Sequence, residues 1–268
     1  MRRVVYWQRA DRLIYFDEKA TAQFWDSHWQ AEGKPPDVSA RDDVVAITGR
    51  HLARGSRILE GGCGRANKVK AMVDAGFCAI GIDFAPDSVK QAKLYYPKLD
   101  IRQGDVRSLE FPDGSFDGYW SIGVIEHFWA GYGAILAEAA RVLKPGGFLF
   151  LTAPWLSPYR KYKARAGGYP HGDFSSEPDG FYQFALGHKE ICRELVGHGF
   201  RILRWRGRMS EISMRDDMTH FQRQTRWLLS SRGSLVKRVA RWAIFTALNR
   251  YCGHSFLVVA RRTADSLC

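Results

Sequence analysis

Between Gly55 and Thr152 short apolar runs alternate with amphipathic ones, and this alternation constrains the fold more than any other feature of the chain. "SRILEGG" predicts a buried strand, and "NKVKAMVDAG" a helix closed by glycine. "CAIGID" predicts a second strand. "PDSVKQAKLYY" predicts a helix with Pro86 in its first turn, where proline is well accommodated. "LDIRQGD" and "FDGYWSIG" predict a third and a fourth strand, "GAILAEAARVL" a helix, and "FLFLTAP" a fifth strand after the turn "KPGG". Repeated β–α units of this length imply a parallel sheet with helices on both faces.

The pattern also locates a site. Ligands of an open parallel sheet lie outside the carboxyl ends of its strands. There the sequence reads "EGGCGRA", glycines that let backbone approach a ligand closely. A dinucleotide turn wants G-x-G-x-x-G/A, but with Gly62 and Gly64 as its first glycines the third position is Asn67.

The arrangement Glu60-x-Gly62-x-Gly64-x-Ala66 resembles the E/D-x-G-x-G-x-G signature of class I S-adenosylmethionine-dependent methyltransferases, with alanine in place of the last glycine. "GIDFAPDSV" and "RQGDVRSLEFPDGSFD" are similar to the family's next two segments, and "ARVLKPGGFLFLTAP" to that around its fifth strand. The resemblance runs from Arg57 to Ala153. It implies an α/β fold with a seven-stranded Rossmann-like sheet, mostly parallel with the last strand antiparallel, helices on both faces and capping insertions. It implies S-adenosyl-L-methionine as co-substrate, held by Glu60, Gly62, Gly64, Asp83, Phe84, Asp105 and Val106. Asp83 would meet the ribose hydroxyls, Phe84 the adenine ring, and Asp105 the adenine amino group.

Around this core (residues 52–153) lie three additions to one structural domain. Residues 1–51, with "FWDSHW", form an aromatic cap, and residues 154–187 a lid insertion rich in glycine, proline and aromatics. Residues 188–268 complete the sheet through "RILRW" and "HSFLVVARR", which are separated by an insertion at about 206–252. The cap and lid place Trp25, Tyr169 and Tyr182 as candidate acceptor contacts. A hydroxyl acceptor needs a base, for which His127 and His171 are the candidates and His188 a weaker one. Neither "DPPY" nor "NPPY" nor a Pro-Cys dipeptide occurs. The family's nucleic-acid branches carry such motifs, so the resemblance favours a small-molecule or lipid-like acceptor and O-methylation over RNA modification. A non-catalytic domain that binds the same ligand is the alternative from another class.

Charge is the remaining lead. The chain carries a net +12, and +11 of it falls between Arg201 and Arg262. In "SLVKRVARWAIFTALNRY", Lys237, Arg238, Arg241 and Asn249 share one helical arc and Leu235, Val236, Val239, Trp242, Ala243 and Tyr251 the opposite one. Three roles compete for this helix: packing on the sheet or on the second subunit of a homodimer with its arginines in water, lying on an anionic membrane, or binding nucleic acid. Five cysteines with no CxxC spacing argue against a disulfide framework or a metal knuckle. With no signal segment and no apolar run of about 20 residues, a cytoplasmic protein is expected, with membrane contact at most peripheral.

Overall fold

The computed structural model describes residues 3–33, 35, 42–218 and 235–263. The middle of the basic insertion, residues 219–234, lies outside them. The chain opens with strands β1 (Arg3–Trp7) and β2 (Arg12–Phe16), then helices α1 (Ala22–Glu32) and α2 (Asp43–Thr48). The alternating core follows as β3 (Arg57–Gly61), α3 (Asn67–Asp74), β4 (Cys78–Asp83), α4 (Pro86–Tyr95), β5 (Asp100–Gln103) and β6 (Phe116–Ile122). A single 3₁₀ turn (Ile125–His127) precedes α5 (Gly133–Val142) and β7 (Leu143–Pro154). Next come α6 (Pro158–Arg165), β8 (His171–Gly172), β9 (Phe181–Ala185), α7 (His188–Gly197) and β10 (Phe200–Arg208). The chain ends with α8 (Ser210–Asp216), α9 (Leu235–Cys252) and β11 (Ser255–Arg262).

The main sheet has the order β10-β11-β7-β6-β3-β4-β5. Strands β3 to β7 are mutually parallel, and β11 is antiparallel to both its neighbours. Because side chains alternate along a strand, each strand feeds two cores. Trp120, Phe150, Leu257 and Val259 pack with Val44, Val69 and Met72 of α2 and α3. Tyr119, Leu149, Leu151, Phe256 and Val258 pack on the other face with Ile135 and Leu136 of α5 and Ile191 and Leu195 of α7. The strand order reverses at β3, whose neighbours are β4 and β6. A crevice therefore opens at the carboxyl ends of those three strands.

The cap and the lid prove to be one structure. A second sheet, β8-β1-β2-β9, pairs the amino-terminal hairpin with the segment after β7. Its Ile14, Phe181 and Phe184 are buried in the α5–α7 core, which fixes this sheet above the crevice.

Hydrogen bonds decide the orientation of α9, which periodicity left open. Asn249, on the polar arc with Lys237, Arg238 and Arg241, accepts a hydrogen bond from the Ser210 backbone N–H through Oδ1 at 2.9 Å. The Ser210 hydroxyl donates to the Phe245 carbonyl. The helix thus sits on α8 and β10 by the side holding Phe245, Leu248, Asn249 and Cys252. Phe245 and Leu248 are partly buried there and Cys252 is buried. The arc of Val236, Val239, Trp242, Ala243 and Tyr251 is therefore turned outward.

Candidate active site

The glycine turn is built by backbone conformations and by one carboxylate. Gly62 and Gly64 have φ of +75° and +48°. The N–H groups of Gly62 and Cys63 both donate to the Ile82 carbonyl at the end of β4, at 2.8 and 2.9 Å. Asp83 Oδ2 accepts from Gly64 N at 2.7 Å, and Oδ1 from Ala85 N at 3.0 Å. A Cβ on Gly62 would lie 2.4 Å from Val124 Cγ2, so the sharp turn leaves no space for a side chain. Ala66, standing at the third glycine position, adopts φ +58° and is fully buried. A left-handed non-glycine residue costs about 1–2 kcal/mol, which the surrounding packing sustains.

Two acids there are held out of water. Burial pushes the Glu60 carboxyl up to about 8, and its Oε2 has no partner among the described residues. It lies beneath the turn, where the Val69 N–H at the start of α3 opposes the shift. Burial also raises the Asp83 carboxyl, opposed by the N–H groups of Ala85, Gly64 and Phe84.

A cavity of about 580 Å³ opens above the turn. Gly62, Gly64, Asp83, Phe84, Asp105 and Val106 line it. Phe84 leaves 42 % of its surface exposed there, and Asp105 is held by a salt bridge to Arg107 at 2.6 Å. Trp25, Trp29, Val124, His127, Phe128 and Tyr182 line it as well. Trp25 and Tyr182 meet the His127 ring edge to face at 5.2 and 5.0 Å. His127 Nδ1 lies 2.8 Å from the Tyr182 carbonyl oxygen. That oxygen can only accept, so Nδ1 carries the proton and Nε2 keeps a lone pair. Burial holds the ring's pKa down at about 4, so the imidazole is neutral at physiological pH. Glu126 is also on the wall, buried, with a carboxyl pushed up to about 8 and an Oε2 that has no partner among the described residues.

Residues 59–151 match a methyltransferase domain family. A Mycolicibacterium smegmatis protein named as a probable S-adenosylmethionine-dependent methyltransferase is 34 % identical over 114 residues, covering 42 % of this chain and 44 % of that protein. The core is a class I S-adenosylmethionine-dependent methyltransferase domain. A ubiquinone biosynthesis O-methyltransferase of Xanthomonas oryzae is also 34 % identical, over 140 residues, 50 % of this chain and 57 % of the relative. The chain thus spans about half the length of the curated relatives it matches. Among solved structures, a SAM-dependent methyltransferase from Methanosarcina mazei has a TM-score of 0.56 at 17 % identity, covering 82 % of this chain and 98 % of that one. The cyclase SpnF has a TM-score of 0.58 at 20 % identity, covering 94 % and 99 %. A neighbour named for ring formation shows that this fold by itself does not fix the reaction.

The residues of the methyltransferase domain fit its donor. The turn is bare where a Cβ would collide, Asp83 presents a buried carboxylate beside it, and Phe84 offers an open ring face at the same cavity. Two acceptor-side expectations are corrected. His171 lies on β8, edge to face with Tyr6 at 5.6 Å, at a separate small cavity with Lys161 and Arg165. Tyr169 is buried, donating to Asp217 Oδ1 at 3.1 Å. Both follow α6, which carries the chain away from the crevice before β9 returns Tyr182 to it. His188 begins α7 and packs edge to face on Trp205, 4.4 Å between ring centroids. Trp29 and Phe128 were not foreseen as wall residues. Trp29 was open to discovery, since it follows Trp25 by four residues and so shares its helical face.

Proposed function

We propose that the chain transfers the methyl group of S-adenosylmethionine to an oxygen of a small or lipid-like acceptor, with His127 receiving the acceptor's proton. The observation that carries this reading is a neutral imidazole with an Nε2 lone pair, lining the same aromatic cavity as the glycine turn. Glu60, Gly62 and Gly64 would shape the seat for the donor's methionine end, Asp83 would take the ribose hydroxyls, and Phe84, Asp105 and Val106 would frame the adenine. Bound S-adenosylmethionine supplies a methyl group already activated on a sulfonium. The protein's share is to align the acceptor, exclude water and take up one proton. Trp25, Trp29, Phe128 and Tyr182 exclude water and suit an apolar or ring-bearing acceptor. The acceptor oxygen gives an electron pair to the methyl carbon, the carbon–sulfur bond breaks with its pair to sulfur, and the hydroxyl proton passes to His127 Nε2. A weak base suffices, because the oxygen becomes far more acidic as its new bond forms. The relative named for ubiquinone biosynthesis directs the first acceptors to test towards phenols and quinols.

Calorimetric titration with S-adenosylhomocysteine tests the donor site. Micromolar binding to wild type, weakened by about 1–3 kcal/mol in Asp83→Ala, is the expected result. Binding of NADH in its place would overturn the reading. A methyl-transfer assay over phenols, quinols, lipid extracts and RNA then tests the acceptor class, and transfer to RNA alone would refute it.

A further inference from the structure

A second and larger cavity, about 760 Å³, shares no lining residue with the first. It lies across β10 and β11, with β7 and β6 between them and the glycine turn after β3. Leu257 and Val259 of β11 line it, together with Ile47 of α2 and Phe245 and Asn249 of α9. Six arginines converge on it, Arg50, Arg204, Arg206, Arg208, Arg238 and Arg241, against Asp43 and Glu211. Three of them occupy alternate positions of β10, which sends them to one face. Arg208 pairs with Asp43. Arg50, Arg204, Arg206 and Arg238 are exposed and have no carboxylate partner among the described residues. Edge strands often carry charge to deter pairing, but that does not gather six arginines from β10, α9 and the turn after α2 around one groove.

The helix that walls this groove presents an apolar stripe to solvent. Val236 is 78 % exposed, Trp242 68 %, Val239 56 % and Tyr251 53 %, and Ala240, Ala243 and Ala247 beside them are exposed as well. Trp242 belongs both to the stripe and to the groove wall. No helix among the described residues is long and apolar enough to cross a membrane, so any lipid contact of α9 is made at the surface.

We propose that α9 and the arginine groove dock the chain on an anionic lipid bilayer. The stripe enters the boundary between headgroups and acyl chains, and the arginines take the lipid phosphates. Tryptophan and tyrosine suit that boundary, because their rings are apolar and their N–H and O–H groups stay wet. An amphipathic helix with flanking basic residues is the usual form of such a contact. Other occupants each match half of the surface. A nucleic acid or a free polyphosphate would satisfy the arginines but leave the stripe in water. A second copy meeting this face through a two-fold axis would cover the stripe but bring two arginine grooves together. The proposal does not depend on methyl transfer.

The test is sedimentation of the full chain with vesicles of phosphatidylcholine alone and of phosphatidylcholine with phosphatidylglycerol in equal parts. Binding is expected only to the mixed vesicles, and it should weaken steeply as salt is raised. The double variant Arg204→Glu, Arg206→Glu and, separately, Val239→Glu should each reduce it roughly tenfold or more, while circular dichroism and S-adenosylhomocysteine binding stay as in wild type. No partition onto the mixed vesicles overturns the proposal. So does tripolyphosphate or RNA binding that needs the arginines but is untouched by Val239→Glu, and so does a dimer in solution that Val239→Glu dissociates.

Discussion

The two cavities use ionisable side chains in opposite ways, and the difference is set by water. At the carboxyl ends of β3, β4 and β6, Glu60 and Glu126 are buried, and both carboxyls are pushed up to about 8. At neutral pH they are mostly neutral groups that shape the floor and wall of a cavity. Across β10 and β11 the arginines remain in contact with solvent and act as sources of field. Between these extremes stands Arg160, which is 99 % buried and yet charged. Its guanidinium donates to Asp217 Oδ2 at 2.8 Å and to the carbonyls of Trp155 and His254 at 3.1 and 2.9 Å. Residue type therefore does not tell what a charge is for. Burial and available partners do.

The strongest test of this contrast is at His127. His127→Ala should lower kcat on any hydroxyl acceptor roughly 10²- to 10⁴-fold, with S-adenosylhomocysteine affinity nearly unchanged. In wild type, kcat should stay level as pH is lowered from 8 to about 5 and fall only near 4, where the buried ring becomes protonated. A fall centred near 6.5 would mean that the base is a solvated histidine elsewhere. Next in size is the buried ion pair. Asp217→Asn leaves the Arg160 charge without its counterion, and should cost about 3–5 kcal/mol in urea unfolding. A loss under 1 kcal/mol would show that the neutral partners, the two carbonyls and His254 Nδ1 at 2.8 Å, suffice.

Glu60 gives a smaller effect with a definite sign. Its pKa rises from about 4.5 to about 8 on folding, so between those values the unfolded chain has released a proton that the folded chain retains. Stability is then fully present below about 4.5 and declines as pH rises through about 8, by a few kcal/mol. Glu126 adds a decline in the same window. Glu60→Gln should make the slope of unfolding free energy against pH about half as steep in urea titrations from pH 7 to 8, above the range in which the buried rings of His127 and His254, held down at about 4, contribute the opposite slope. An unchanged slope would place the burden on Glu126.

What could be read from the sequence was what depends on neighbours in the chain. The strand–glycine–helix units and the turn at Gly62 are local, since φ and side-chain size at one position decide them. The pairing of β2 with β9 joins residues about 170 apart and leaves no local mark, so the cap and the lid read as two segments when they are one sheet. Periodicity placed the arcs of α9 correctly but could not say which faces inward. That was decided by Phe245, Leu248 and Cys252, together with the hydrogen bond that Ser210 offers Asn249. His171 and Tyr169 were drawn to the active site by their position after the fifth strand of the core. The intervening α6 removes them, and the geometry instead brings forward Trp29 and Phe128.

The smallest effect returns to the groove and bears on both halves of the contrast. Arg208 and Asp43 form a salt bridge at 2.5 Å, but Asp43 is 73 % exposed. An exposed pair of this kind contributes little, because water already solvates both charges. Asp43 also sits in the first turn of α2, where an acid favours the helix by a few tenths of a kcal/mol. Asp43→Asn should therefore lower stability by about 1 kcal/mol or less, a small fraction of the loss expected for Asp217→Asn. The same change removes one of two carboxylates facing six arginines, so it should strengthen partition onto phosphatidylglycerol vesicles, and more so at low salt. Stability and docking would then move in opposite directions at one residue, which a groove serving only to hold α9 in place would not produce.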